Sequence, residues 1–204
     1  MDIKDLLYKA LSIALPLGMA MGSLSLASCE ETPEVDEYAN WQERNTEYID
    51  SIAAVAKTNA DGKWLRILSF KLNETDINGN PAAYGNEDYI YCYIEEEGDG
   101  MVSPLYTDMV SVNYRGRLIP SLAYPEGKVF DESYKGAYNP EQNVPEEFNV
   151  DELIVGWGTA LMRMTIGDRW RVYIPATLGY GSKEEGGIPA YSTLVFDMDL
   201  VEIY

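Results

Sequence analysis

Apolar residues recur along this chain at two different periods, and the period changes near residue 60. Six residues follow one another at spacings of three and four, which is the spacing of one face of an α-helix; they are Tyr38, Trp41, Asn45, Tyr48, Ile52 and Val55. The pattern predicts an amphipathic helix over roughly 36–58, ended by Asp61-Gly62. Its apolar stripe has two interpretations: packing on its own domain, or contact with a second copy in a homodimer.

Beyond residue 62 the apolar residues recur at every second position, the period of a strand with one buried face. The segments with this pattern are WLRILSF (64–70), DYIYCYI (88–94), DMVSVNYRGRL (108–118), WRVYIP (170–175) and LVFDMDLVEIY (194–204). In the last of them, Asp197 and Asp199 are expected to point outward. A short helix is expected at about 156–163. We therefore predict an α+β fold, in which a curved antiparallel sheet wraps around one short helix and carries an added N-terminal helix.

The N-terminal segment reads as a targeting signal. Lys4 and Lys9 precede an apolar run that Pro16 interrupts, as in a secretory signal. The run ends in LSLASC, which resembles the lipobox of bacterial lipoproteins, although an ordinary signal peptide is the alternative. We expect a lipoprotein signal peptide over 1–28, acylation of Cys29 and an acidic tether over 29–37. The resemblance implies a lipid anchor in the cell envelope. Glu30, where Asp would signal inner-membrane retention, favours the outer membrane and leaves its periplasmic or surface face open.

Composition narrows the chemistry available to the chain. The net charge of −19 would repel phosphate backbones, so nucleic acid is not an expected partner. The chain has no histidine and two cysteines, which excludes His-dependent triads and His-ligated zinc or haem. No metal or cofactor is therefore expected. Cys92 alternates with apolar neighbours and is interpreted as a buried, unreactive thiol.

Several aromatic residues near one carboxylate are candidates for a ligand site: Tyr114, Phe130, Asp131, Trp157, Tyr180 and Phe196. Brought together, they would form an aromatic basin with two phenols and one carboxylate at its edge. Such a basin suits a compact apolar ligand that also needs one or two hydrogen bonds. The alternative is a plain aromatic core.

Several motifs in the C-terminal part occur in a characteristic order. They are GDGMVSP (98–104), VSVNYRGRL (110–118), GKVFDES (127–133), ELIVGWGTALMRMTIGDRWRVYIPATLGYG (152–181) and GIPAYSTLVFDMDLVEI (187–203). Together they resemble the FKBP-type, or macrolide-binding, peptidyl-prolyl cis-trans isomerase domain over 88–204, which leaves 38–87 as an N-terminal helix and strand extension. The resemblance implies action on X-Pro bonds of envelope proteins without a cofactor, with proline-containing polypeptides as partners and macrolides as possible inhibitors.

The resemblance also assigns roles within the predicted pocket. Trp157 would form its floor, and Gly156 and Gly158 would keep the indole uncovered. The other substrate-binding residues would be Leu153, Ile154, Ile188 and Phe196, and the catalytic residues Asp131, Tyr180, Phe130 and Tyr114. The Tyr180 hydroxyl and the Ile154 N–H would donate to bound carbonyls. Asp131 would face the rotating carbonyl carbon, unless it forms a structural ion pair with Arg115 or Arg117.

Three departures from the family pattern leave the level of activity open. Residues 117–129 are longer than the usual turn and are expected near the mouth of the pocket. Glu146 or Val144 stands where a wall aromatic is common, and the segment SKEEGGIPAY (182–191) is acidic. A binding module or chaperone with weak or no isomerase activity, or a scaffolding lipoprotein, is therefore the alternative.

Overall fold

One antiparallel sheet organises the protein. The structure is a computed structural model that describes residues 36–204, so the predicted signal peptide, Cys29 and most of the tether lie outside the described residues. The elements are α1 (Trp41–Thr58), β1 (Trp64–Leu68), β2 (Tyr89–Glu96), β3 (Met109–Arg117), β4 (Val129–Glu132), β5 (Glu146–Asn149), α2 (Val155–Leu161), β6 (Arg169–Ile174) and β7 (Leu194–Ile203). The strand order is β1-β2-β6-β7-β3-β4, and β5 pairs with the other end of β3.

The predicted alternation places the main core on one face of this sheet. Val110, Val112 and Tyr114 of β3 are buried there, as expected. The short helix α2 packs against the same face, and its backbone approaches β6 so closely that a Cβ on Gly156 would lie 2.4 Å from Ile174 Cγ2. The predicted α+β fold, with its added N-terminal helix, is confirmed.

Helix α1 packs on the opposite face of the sheet. Its buried residues include Ile49, Ala53 and Ala56, which cluster with side chains of β2, β6 and β7. The predicted stripe was correct for Trp41 and Asn45 but wrong for Val55, which is 44% exposed. Apart from Val55, the stripe packs on the chain's own fold, as in the first of the two interpretations. A homodimer contact through residues 36–58 stays a prediction.

The helix ends at Thr58, as predicted, but it begins at Trp41 and its C-cap differs from the predicted one. Asn59 adopts a left-handed conformation (φ 43°) and closes the last turn with a hydrogen bond from its N–H to the Val55 carbonyl. Its side chain also bonds both the N–H and the carbonyl of Trp64, which directs the chain into β1. The left-handed Asn59, rather than Asp61-Gly62, is therefore the C-cap. Strand β1 then pairs with β2, so the extension adds an edge strand to the sheet.

Asp197 on β7 is buried, contrary to the prediction that it points outward. Its side chain is 7% exposed and pairs at 2.6 Å with both Arg117 and Arg171. Burial alone would raise the pKa of Asp197, but the two guanidinium groups hold it below its ordinary value. Alternation had identified the correct face, but that face is itself covered. Asp199, two residues on, is half-buried and accepts a hydrogen bond from Tyr138.

Within residues 36–204, no helix combines the length and the apolar character needed to cross a bilayer. The same residues contain no cluster of three or more Asp, Glu or Cys side chains placed to hold a metal ion.

Candidate functional site

A cavity of about 240 Å³ opens between β3, β4, β5 and the start of α2. Its lining consists of five aromatic side chains, two aliphatic ones, two carboxylates and one further phenol: Phe130, Phe148, Trp157, Phe196, Tyr114, Leu153, Ile154, Asp131, Glu152 and Tyr180. Eight of the nine pocket residues expected from the sequence are among them. The aromatic residues therefore line a hollow rather than a closed core.

Trp157 lies in the first turn of α2 and is 3% exposed. Three rings meet its indole at steep angles, with centroid separations of 5.2 Å for Tyr114, 5.5 Å for Phe148 and 5.2 Å for Phe196. These edge-to-face contacts are a favourable arrangement for aromatic pairs. The indole is thus held in place by surrounding rings and still contributes to the lining of the cavity.

Packing against the sheet explains one of the two glycines beside Trp157. Gly156 is needed because any side chain there would collide with Ile174, whereas a Cβ on Gly158 would meet nothing closer than Phe70, at 3.4 Å. The close packing of α2 on β6 therefore explains Gly156, and the expectation that both glycines keep the indole uncovered stays a prediction.

Gly116 on β3 is a functional position to which the sequence reasoning assigned no role. A Cβ there would lie 2.6 Å from both Phe130 Cζ and Phe196 Cε1. Because glycine has no Cβ, the two rings can approach each other across the strand, with 5.5 Å between their centroids. The motif VSVNYRGRL (110–118) contains this glycine, but only the positions of the two rings show why a glycine is needed there.

The polar edge of the cavity centres on Tyr114. Its hydroxyl donates to Asp131 Oδ2 at 2.9 Å and lies 3.4 Å from Glu146 Oε2. Asp131 Oδ1 accepts the N–H of Glu132 at 3.0 Å. Burial, and then the neighbouring carboxylates Asp131 and Glu146, raise the pKa of Tyr114 far above its ordinary value. Tyr114 therefore stays protonated and orients the Asp131 carboxylate.

The alternative role of Asp131, an ion pair with arginine, is wrong. Arg115 pairs with Glu132 at 2.7 Å, and Arg117 pairs with Asp197. Alternation along β3 directs both guanidinium groups to the face opposite Tyr114. The Asp131 carboxylate is consequently left at the cavity with a phenol as its side-chain partner.

Two donors at the cavity have no protein partner within residues 36–204: the hydroxyl of Tyr180 and the N–H of Ile154, which precedes α2. Burial, and then the charges of Glu185 and Asp131, raise the pKa of Tyr180, so its phenol is protonated at neutral pH. Both groups are thus free to donate to carbonyl oxygens of a bound chain.

The structure corrects the predicted lining at three places. Ile188 is 4% exposed and belongs to the hydrophobic core, not to the cavity lining. Phe148 and Glu152 line the cavity although neither was among the predicted site residues. Residues 117–129, which were expected near the mouth of the cavity, contribute no lining residue. They turn back on themselves through a bond from the Leu118 N–H to the Lys128 carbonyl.

Comparisons with known proteins agree with this geometry. Residues 102–201 match the family model described as FKBP-type peptidyl-prolyl cis-trans isomerase. The macrophage infectivity potentiator of Trypanosoma cruzi is 42% identical over 107 residues, which cover 52% of this chain and 48% of that protein. The FKBP-type 22 kDa peptidyl-prolyl cis-trans isomerase of Escherichia coli is 41% identical over 108 residues, covering 52% and 46%.

A solved structure extends the match beyond that segment. The peptidyl-prolyl cis-trans isomerase of Pseudomonas syringae pv. tomato aligns with a TM-score of 0.53 and 26% identity, covering 79% of this chain and 95% of that one. The chain matches about half the length of the two curated relatives. These matches show that residues 102–201 are similar to the FKBP-type peptidyl-prolyl cis-trans isomerase family, in agreement with the cavity and its motifs.

Proposed function

We propose that the protein is a peptidyl-prolyl cis-trans isomerase that acts on X-Pro bonds of proline-containing polypeptides in the cell envelope. The observation that carries the proposal is the aromatic cavity around Trp157, with the Tyr180 hydroxyl and the Ile154 N–H unpaired beside it. Its volume of about 240 Å³ accommodates a proline ring and part of a flanking residue. The match of residues 102–201 to the FKBP-type family model supports the same activity.

The chemistry needs no covalent intermediate. Amide resonance opposes rotation with a barrier of about 18–20 kcal/mol, while the cis and trans X-Pro forms differ by only about 0.5–1 kcal/mol. A site that binds the twisted amide better than either planar form lowers that barrier. A water-poor aromatic cavity does so because the twisted amide has less charge separation than the planar one.

The cavity residues divide this work between holding and rotating. The indole of Trp157 and the rings of Phe130 and Phe196 would hold the proline ring while the preceding carbonyl turns. Tyr180 and Ile154 would donate hydrogen bonds to carbonyls of the bound chain. Asp131, oriented by Tyr114, would face the rotating carbonyl carbon.

An NMR exchange assay on a short Leu-Pro peptide tests the proposal. The wild-type protein should accelerate cis-trans exchange, and Phe130→Ala or Asp131→Ala should reduce the acceleration by about 10- to 100-fold, the cost of a misplaced reacting group. Val129→Ala and Glu147→Ala are matched controls, because both side chains are exposed on strands that border the cavity without lining it. Exchange at the uncatalysed rate with the wild-type protein would refute the proposal.

A chaperone or binding role without catalysis is the second candidate, and an exposed apolar surface favours it. Met101, Val102 and Leu105 are 94%, 68% and 66% exposed in the segment before β3. If this surface holds unfolded clients, Leu105→Ser should weaken suppression of client aggregation while Phe130→Ala leaves it intact. If the wild-type protein does not suppress client aggregation, the candidate fails; if Leu105→Ser suppresses it as well as the wild type, this surface is not the client-binding site.

We further propose that the protein is attached to the outer membrane by a lipid on Cys29 and that macrolides occupy the aromatic cavity. The lipobox-like LSLASC sequence supports the anchor, and the cavity supports the inhibitor. Labelling with a fatty-acid analogue should mark the wild-type protein and not Cys29→Ser. A macrolide should compete with the Leu-Pro peptide in the NMR assay, and peptide binding that is unaffected by the macrolide would refute that part.

A further inference from the structure

The loop of residues 181–193, here called the flap, connects Tyr180 at the cavity with β7. Its base is closed by a hydrogen bond from the Tyr191 N–H to the Gly181 carbonyl at 2.8 Å, and its tip by reciprocal bonds between Glu185 and Ile188. Tyr191 has φ 62°, in the left-handed region that is unfavourable for an aromatic residue. A conformation of this kind persists where surrounding contacts over-determine it.

Helix α1 supplies those contacts on the returning limb of the flap. Trp41 Nε1 donates to Ser192 Oγ at 2.9 Å, and the Ser192 hydroxyl donates onward to the Pro189 carbonyl at 2.6 Å. Asn45 Oδ1 accepts the Thr193 N–H at 2.7 Å. Trp41 is 8% exposed and Asn45 is 2% exposed, so water cannot readily replace these bonds.

The first turn of α1 is itself secured against movement. Arg44 lies over the Trp41 ring at 5.2 Å and donates to the Glu37 carbonyl at 2.9 Å. The Tyr38 ring meets the Trp41 ring edge-on, at 5.1 Å between centroids. Tyr38 also lies beside the flap tip, and its hydroxyl is 3.5 Å from Lys128 Nζ, two residues before Phe130. Helix α1 thus contacts the flap, and Tyr38 just before the helix contacts the segment that leads into Phe130.

We propose that Trp41 and Asn45 are positioning residues that fix the flap beside the prolyl cavity, where it continues from the lining residue Tyr180. The inference rests on the proposed isomerase function, because it gives the flap a part in peptide binding. Neither residue lines the cavity. They act on the flap through its residues Ser192 and Thr193. Trp41 and Asn45 should therefore influence how tightly a peptide is held more than how fast its bound amide rotates.

Two substitutions in the full-length protein separate this role from simple stabilisation. Trp41→Phe keeps an aromatic ring but removes the donor, and Ser192→Ala removes the hydroxyl from the other end of the same bond. Ile52→Ala is the matched control, since Ile52 lies on the same helix and packs on the cluster of Tyr91 and Tyr173, away from the flap. The measurements are amide hydrogen exchange, the Kd of a Leu-Pro peptide and its exchange rate at saturation.

In Trp41→Phe and Ser192→Ala we expect the amides of Ile188, Tyr191 and Thr193 to exchange about two- to tenfold faster, the effect of one lost hydrogen bond. The Kd should rise by a similar factor, with the rate at saturation nearly unchanged, as for a loss of uniform binding. Ile52→Ala should leave both the flap amides and the Kd as in the wild type.

If Trp41→Phe and Ser192→Ala leave the exchange rates of the flap amides and the Kd of the peptide as in the wild type and in Ile52→Ala, the inference is overturned. A wild-type protein that binds the peptide without accelerating its exchange would instead overturn the proposed function. The flap amides would then still report whether α1 holds the flap.

Discussion

Replacing Gly156 with alanine would test how the helix that carries Trp157 is held against the sheet. The new Cβ would lie 2.4 Å from Ile174 Cγ2 and 2.8 Å from its Cδ1, well inside van der Waals contact. Because Ile174 is fully buried, it cannot move away without displacing its neighbours. Overpacking of this kind costs about 1–3 kcal/mol, which for a domain of this size lowers the Tm by about 2–10 °C.

Gly158→Ala is the matched comparison, since it adds the same methyl group on the other side of Trp157. Its Cβ would meet Phe70 at 3.4 Å, an ordinary contact, and alanine is the better helix former by about 1 kcal/mol. We expect Gly158→Ala to be neutral or stabilising. Gly156→Ala should also tilt α2 and reduce kcat/KM on the Leu-Pro peptide, whereas Gly158→Ala should not.

Thermal unfolding and the NMR exchange assay on the two purified variants give the answer. If Gly156→Ala is as stable and as active as Gly158→Ala, the close packing of α2 on β6 does not control the position of the indole. A loss of activity confined to Gly158→Ala would instead favour the original idea that small residues keep the Trp157 ring uncovered.

Four further predictions follow from individual contacts. Tyr114→Phe and Asp131→Asn should be non-additive in kcat/KM by about 1 kcal/mol, the worth of their hydrogen bond; additivity in the double variant would contradict this. Asp197 has a folded pKa below its ordinary 3.8, so its pairing stabilises the fold above that pH and is lost as the pH falls through the folded pKa. In urea unfolding, Asp197→Asn should therefore cost about 3 kcal/mol at pH 7 and much less near pH 2, and an equal cost at both would be inconsistent with a depressed pKa. Cys92 is fully buried, which raises the pKa of its thiol, so it should react with a thiol reagent only as fast as the protein unfolds. Rapid labelling of Cys92 itself in the native protein would exclude this. Because Asp131 and Glu152 line the cavity without a basic neighbour in the lining, Lys-Pro peptides should be turned over about two- to fivefold faster than Glu-Pro peptides at low salt, and equal rates would refute it.

The strand pattern was enough to place much of the core. In β3 the alternation of Val110, Val112 and Tyr114 identified the buried face correctly, because period two follows directly from strand geometry. The same rule misjudged Asp197. Alternation tells on which side of a sheet a residue lies, but whether that side is covered depends on elements distant in the chain, here the arginines of β3 and β6.

The cavity was predictable as a set of residue types and less so as a lining. Trp157 and Phe130 follow from the motifs. Ile188, at the tip of the flap, turns into the core, and Phe148 lines the cavity instead. Such exchanges depend on the register of β5 against β3 and on the course of a loop, which local pattern does not determine. Val55 was misplaced for a related reason, since the helix face that meets the sheet is rotated towards Ile49 and Ala53.

The pairing of β1 with β2 has a consequence for the margin of the sheet. Without the residues before 88, the backbone groups of β2 that now face β1 would be unpaired along one side, next to the buried Ile90 and Tyr91. An edge strand with unpaired N–H and C=O groups can pair with a strand of another chain. The extension therefore also covers the edge of the sheet. A shortened protein that kept only residues 88–204 would expose the edge of β2 and be prone to aggregation.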